Sequence, residues 1–159
     1  MQRDLSDDVE IQEMQEADLD QIVAIEKQSF VAPWSKRLFR ETISFPLSFN
    51  LVIRKKVDNK VAGYANFYVI GNEVQVLNIA IAPESRKQGY AAVLLGYAIK
   101  VFAARKAEDF FLEVRMSNAD AIKLYQGLGF KKIGIRKKYY SETNEDAIIM
   151  HLKVEHGAH

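Results

Sequence analysis

Residues Glu73–Tyr97, EVQVLNIAIAPESRKQGYAAVLLGY, decide the fold. Val74, Val76, Leu77, Ile79 and Ile81 are too densely apolar for a half-exposed strand, so the run reads as a buried central strand ending at Pro83. Helical spacing follows at once. Ala91, Leu94, Leu95, Ala98 and Phe102 form one apolar stripe, and Gly89 stands where the first turn begins. The first-turn N–H groups of such a helix are free, Arg86 and Lys87 flank them, and Gly89 adds no side chain, which together suit a pyrophosphate. A tight turn with a solvated basic edge accounts for the same residues, and on this stretch alone both readings stand.

Downstream, the helix ends near Arg105 and Lys106, whose charge favours its C-terminal dipole, and Asp109 to Met116 reads as another strand. Only a crossover reaches that strand. Strand, helix and strand therefore form a right-handed βαβ unit, with the two strands parallel and close in the sheet. Alternation puts Leu112, Val114 and Met116 on one face and Phe111, Glu113 and Arg115 on the other. Glu113 is thus an acid in an otherwise apolar strand, either a base or half of a rim ion pair with Arg115. Ser117 or Asn118 caps the next helix, which runs to Leu128 and is ended by Gly129. On it Asn118 and Tyr125, seven residues apart, share a face with Ile122 between them. Tyr125 is either a core ring with a surface hydroxyl or a group facing a cleft. Phe130 to Tyr139 and Ala147 to Val154 are closing strands joined by the polar Ser141 to Asp146 connection.

Upstream, Val9 to Met14 alternates like a strand, and Ala17 to Ser29 follows as an amphipathic helix carrying Leu19, Ile22, Val23, Ile25 and Glu26. Ser35 caps a second helix to about Ser44, with Leu38, Phe39 and Ile43 on its inner side. Trp34, the only tryptophan, anchors that joint or grips a ligand. Ser48 to Lys56 and Lys60 to Ile70 are two strands around Asp58-Asn59, and Gly71-Asn72 turns into the strand quoted above.

The 159 residues are 48% hydrophobic and 27% charged, which suits one globular domain over 1–159 with residues 1–8 and 155–159 frayed. Net charge is +1 from 22 basic and 21 acidic residues, so nothing in the balance argues for a membrane or nucleic-acid partner. The absence of cysteine excludes disulfides, a thiolate nucleophile and metal sites that need sulfur. His156 and His159 lie in the tail and His151 in a strand-like run, so no metal-ligand spacing emerges and no metal is expected. The acidic N-terminus is unlike a leader, and no apolar stretch approaches the roughly 18 residues of a membrane span, so a cytoplasmic location is expected.

Taken together, RKQGYA at Arg86–Ala91 after a strand, LEVRMSN at Leu112–Asn118 and AIKLYQGLGF at Ala121–Phe130 resemble the GCN5-related N-acetyltransferase (GNAT) superfamily. Pro33-Trp34-Ser35, Asn78 to Ile81, LEVRMSN, Tyr139-Tyr140 and Glu145 to Met150 look like one branch of it, the RimI branch of bacterial ribosomal-protein N-terminal alanine acetyltransferases. The likeness runs from about residue 9 to residue 152.

This resemblance implies a mixed α/β (α+β) fold: a central, mostly antiparallel sheet of about six or seven strands, one parallel splayed pair, and about four helices on both faces. It implies acetyl-CoA as donor, without a metal. Backbone groups of Ile79, Ala80 and Ile81 would pair with pantetheine. Arg86, Lys87, Gln88, Gly89, Tyr90, Ala91 and Ala92 would surround the pyrophosphate, and Asn118 would bond the pantetheine arm. Glu113 would be the general base, through water, and Tyr125 the general acid toward the departing thiolate. Trp34, Tyr139 and Tyr140 would border the acceptor. The implied partner is a protein N-terminus, that of a ribosomal protein beginning with alanine, met by a monomer.

Two departures from the branch pattern fall at that border: Ser141 replaces a proline, and the connection to Glu145-Asp146 is shorter. Three other readings stay open: a lysine or small-molecule amine as acceptor, a non-catalytic CoA-binding module, and RNA contact through Lys131, Lys132, Arg136, Lys137 and Lys138.

Overall fold

A seven-stranded sheet, ordered β1-β2-β3-β4-β5-β7-β6, carries the molecule. The structure, a computed structural model, describes residues 7–155. In chain order the elements are β1 (Val9–Glu13), α1 (Leu19–Ser29), α2 (Lys36–Ser44), β2 (Ser48–Lys55), β3 (Val61–Ile70), β4 (Glu73–Ile81), α3 (Tyr90–Ala104), β5 (Asp109–Arg115), α4 (Ala119–Gly127), β6 (Lys131–Tyr140) and β7 (Glu145–Lys153). This is the mixed α/β architecture the sequence predicts. Fraying at residues 1–6 and 156–159, with His156 and His159, lies outside the described residues. Asp8, also expected to fray, has its carbonyl bonded by the Lys56 N–H at 3.0 Å.

Helix ends follow local chemistry. The Ser35 hydroxyl accepts from the Leu38 N–H at 3.1 Å and starts α2, while Asn118 Oδ1 accepts from the Ala121 N–H at 3.2 Å and starts α4. Gly89 enters α3 at φ 86° and Gly129 leaves α4 at φ 101°, left-handed positions that favour a residue without Cβ.

The sheet is covered on both faces. On one, α1 and α2 seal Leu19, Ile22, Phe39, Val52 and Tyr64; on the other, α3 and α4 seal Phe67, Leu94, Leu95, Phe102, Phe110 and Met150. Phe102 is a hub of the second core, with ring contacts to Phe49, Phe67 and Phe110. Truncating it to alanine is expected to cost about 3–5 kcal/mol.

Strands β1 to β4 form an antiparallel meander. β4 then runs parallel to β5, but only Glu73, Val74 and Gln75 pair, with Asp109, Phe110 and Phe111. At that point β4 carries a bulge: Val76 pairs with Phe67 and Asn78 with Asn66, which leaves Leu77 unmatched. Beyond it the two strands part. Leu77, Asn78 and Ile79 are consequently only half-buried although β4 is the fourth of seven strands, which corrects the expectation of a fully buried run.

Three smaller expectations also fail. Leu38 is exposed, and Thr42 takes the inner place beside Phe39, because its hydroxyl is satisfied by the Leu38 carbonyl at 2.8 Å. Met116 is exposed because β5 ends one residue earlier. Tyr90 rather than Ala91 completes the buried stripe of α3, since Ala91 turns toward the opening between the strands.

Candidate active site

The parting of β4 from β5 opens a cleft of about 1040 Å³. One wall is β4. Having lost its neighbour after Gln75, it presents the unpaired edge of Asn78, Ile79, Ala80 and Ile81, so its backbone groups face an opening instead of a strand. Below that edge lies the start of α3. The Tyr90, Ala91 and Ala92 N–H groups precede the first intrahelical bond, from Val93 N–H to the Gly89 carbonyl at 3.1 Å, and so remain free for an anion. Lys87, at φ 62°, and Gly89 bend the chain into this cradle.

Arg86, Lys87, Gly89, Tyr90, Ala91 and Ala92 all line the cleft. The Arg86 guanidinium is engaged with the Ile81 carbonyl and the Ser29 hydroxyl, both at 3.0 Å, and thereby ties the end of β4 to α1. Gln88 does not line the cleft; its amide turns back to the Glu84 carbonyl at 3.4 Å.

The other wall is β5 with α4. Alternation along β5 buries Phe110, Leu112 and Val114 in the core and turns Glu113 and Arg115 the opposite way, as the sequence predicts. Their pairing differs from the expected one. Glu113 Oε1 accepts from Arg136 Nη1 at 2.6 Å, and Arg115 instead pairs with Glu142 and Glu145. The reason is the sheet order: β7 and β6 lie beyond β5, and their hairpin brings cations and acids of its own to both side chains. The Arg136 guanidinium also lies 4.2 Å above the Tyr139 ring, and its pKa is raised by the hydrogen bond to Glu113. Burial, then a hydrogen bond to Glu113, pushes the Tyr139 phenol up.

Asn118 and Tyr125 both line this wall, in keeping with their seven-residue spacing. The Asn118 carbonyl oxygen is spent on the helix cap, so its amide nitrogen is what it has for a ligand. Tyr125 is 6% exposed, packs edge to face on Phe130, and has its phenol raised above the ordinary value by burial and by Tyr140.

Two loops close the far end. The α1–α2 loop brings Trp34, its ring tilted by 52° against Phe39 at 5.1 Å, and the β6–β7 hairpin brings Tyr139, Tyr140 and Glu142. Arg115 fastens this hairpin: its guanidinium lies 4.0 Å over the Tyr140 ring and donates to Thr143 Oγ1 at 2.8 Å. Burial pushes Tyr140 up to about 12.

Sequence reasoning did not reach Glu26 and Arg136 as parts of this site. Glu26 is 1% exposed yet lines the cleft, a buried acid on an amphipathic helix. An acid among the inward positions Ile22, Val23 and Ile25 was the available signal. Among the described residues no acid, histidine and cysteine cluster forms a metal site, and no helix is long and apolar enough to cross a membrane.

Known proteins resemble the chain as follows. The acetyltransferase (GNAT) family profile matches residues 19–130. A Bacillus subtilis (strain 168) relative is 38% identical over 141 residues, covering 88% of this chain and 92% of its own. The ribosomal protein bS18-alanine N-acetyltransferase of Escherichia coli (strain K12) is 35% identical over 151 residues, 91% of this chain and 97% of that enzyme. The crystal structure of the ribosomal-protein-S18-alanine N-acetyltransferase from Escherichia coli matches with a TM-score of 0.86 at 33% identity, covering 94% of this chain and 96% of that one. Arabidopsis thaliana NAA60 in complex with a bisubstrate analogue, at 14% identity, shares the fold with a TM-score of 0.84.

Proposed function

The chain belongs to the acetyltransferase (GNAT) family, and on that premise we propose that it moves an acetyl group from acetyl-CoA to the N-terminal α-amine of a protein. The acceptor is the N-terminal alanine of ribosomal protein bS18, on which the Escherichia coli relative acts by name. The carrying observation is the opening between β4 and β5, which brings an unpaired strand edge, a free helix start, Glu113 and Tyr125 to one cleft.

The residues present fit the donor. A strand edge without a neighbour suits the amides of pantetheine, and the α3 start with left-handed Gly89 suits a pyrophosphate. Ile79, Ala80 and Ile81 hold the first, Lys87 and Gly89 to Ala92 the second, and Asn118 bonds along the arm. Acetyl-CoA supplies the activated thioester.

The chain's own groups then manage two protons. An α-amine with a pKa near 8 arrives largely as ammonium, and Glu113, through water, takes the proton that must leave before nitrogen can attack the thioester carbon. As the C–S bond breaks, Tyr125 donates to the departing sulfur and is restored by the second proton that nitrogen sheds on becoming an amide; its phenol, raised by burial, is still protonated at neutral pH. Trp34, Tyr139 and Tyr140 flank the incoming N-terminus. The reading carries with it a monomeric, cytoplasmic protein, the first part of which sedimentation checks.

The test is acetyl transfer from acetyl-CoA to a peptide with an N-terminal alanine, followed by mass spectrometry with lysine-bearing, N-blocked peptides and small amines in competition. Exclusive modification of the α-amine is expected. Transfer to lysine or small amines alone would overturn the acceptor assignment, and no transfer to any amine would leave a CoA-binding module.

A further inference from the structure

Glu26 is a buried charged group in the cleft that the roles above leave unused. It lines the cleft and is 1% exposed. Its Oε1 accepts from the Tyr64 hydroxyl at 2.6 Å and from Asn78 Nδ2 at 2.8 Å, and its Oε2 accepts from the Trp34 N–H at 2.9 Å. These donors belong to β3, to β4 and to the α1–α2 loop, so one carboxylate links the donor strand to the acceptor loop. All of them are neutral. Among the described residues no lysine, arginine or histidine forms an ion pair with Glu26. The cation on that side, Arg86, acts on Tyr64 but spends its own hydrogen bonds on Ile81 and Ser29.

A carboxylate accepts at about four positions, so these bonds leave one on Oε2. A buried anion held only by neutral donors is costly, and a cation that comes within reach offsets that cost. Glu26 and Glu113 thus differ. Glu113 already carries the Arg136 guanidinium, whereas Glu26 carries no cation.

We propose that Glu26 is the fixed counter-charge for the acceptor's α-ammonium. It is a positioning residue that draws a cationic N-terminus into the acceptor end of the cleft and loses its hold once acetylation has turned the amine into a neutral amide. The inference rests on the reading of the protein as an N-terminal α-amine acetyltransferase. It makes charge, rather than side-chain shape alone, the feature that separates substrate from product.

Binding of two peptides to the full chain loaded with CoA tests this. One begins with alanine; the other is identical except that propionyl replaces the alanyl residue, which removes the amine and its charge. Trp34, the only tryptophan and a cleft residue, gives the fluorescence signal. The wild type is expected to prefer the alanyl peptide about tenfold, and Glu26→Gln to lose most of that preference by weakening only the cationic peptide. Equal loss for both peptides would mean a merely structural tie to the Trp34 loop and would overturn the proposal.

Glu113→Gln supplies a second reading that does not depend on Glu26→Gln folding. The preference is expected to persist in it, and its disappearance there would assign the ammonium to Glu113 and overturn the proposal. An absence of preference in the wild type would do the same. A wild type that binds as expected but acetylates only lysine or small amines would instead overturn the acceptor assignment on which the inference rests.

Discussion

Arg136 Nη1 lies 2.6 Å from Glu113 Oε1, so the acid assigned as base is ion-paired. The pair is open to solvent, with side-chain exposures of 51% and 27%, so it is a weak tie that leaves the carboxylate accessible to water. Arg136 is therefore an orienting group. Glu113→Gln is expected to lower kcat about 10²-fold, and Arg136→Gln less than about tenfold, with both variants melting near the wild type. Steady-state kinetics checks the order; equal losses would make the guanidinium itself essential.

Tyr125→Phe keeps the ring against Phe130 and removes only the hydroxyl. A loss of about 10²-fold in kcat is expected, with acceptor KM little changed. Because the phenol is raised, the proton donor survives beyond the ordinary tyrosine value of about 10, and the wild-type rate is expected to show no descending limb below that pH. A descending limb near pH 8 would contradict the assignment.

The same burial has a cost in alkali. Tyr64, Tyr125 and Tyr140 hold their protons more tightly folded than unfolded. Above a pH of about 10 the unfolded phenols ionise while the native ones do not, so the native state binds more protons and stability falls as pH rises. Urea midpoints at about pH 9 and about pH 11 read this directly. An unchanged midpoint would deny the shifts.

Gly63 faces the donor strand. A Cβ there would stand 2.4 Å from Ile81 Cδ1 and 2.8 Å from the Ala80 carbonyl oxygen. Gly63→Ala must displace β4 where it is expected to meet pantetheine. A destabilisation of roughly 1–3 kcal/mol and weaker CoA binding are expected together, by calorimetric melting and titration. Weaker melting without weaker binding would show that the edge tolerates the shift.

Arg115 holds the β6–β7 hairpin through Tyr140, Thr143, Glu142 and Glu145. Arg115→Ala is expected to raise acceptor KM about tenfold and leave CoA affinity near the wild type, since the hairpin lies beyond β5 from β4. An equal loss of both would place the effect in the sheet.

The half of the cleft built on β4 and α3 was legible in the sequence because its signals are local. Gly89 with helical spacing after it gives the cradle, and the alternation around Glu113 gives its facing. The half built on β5, the β6–β7 hairpin and α1 was less so. Arg136 meets Glu113 across a sequence separation of 23 residues and only because β7 intervenes between β5 and β6 in the sheet. Glu26 was counted as part of an amphipathic helix, since no pattern within a helix says that three donors from other elements will surround one acid. Leu77 read as one more core residue because a bulge depends on register with the neighbouring strand, which spacing along one strand does not encode.

The three residue pairs that join β4 to β5 have a mechanical consequence. The sheet is two leaves sharing a short seam, with the α1–α2 loop on one leaf and the β6–β7 hairpin on the other. No other strand pairing joins the leaves among the described residues, so the spacing of the two loops across the sheet is set at those three pairs.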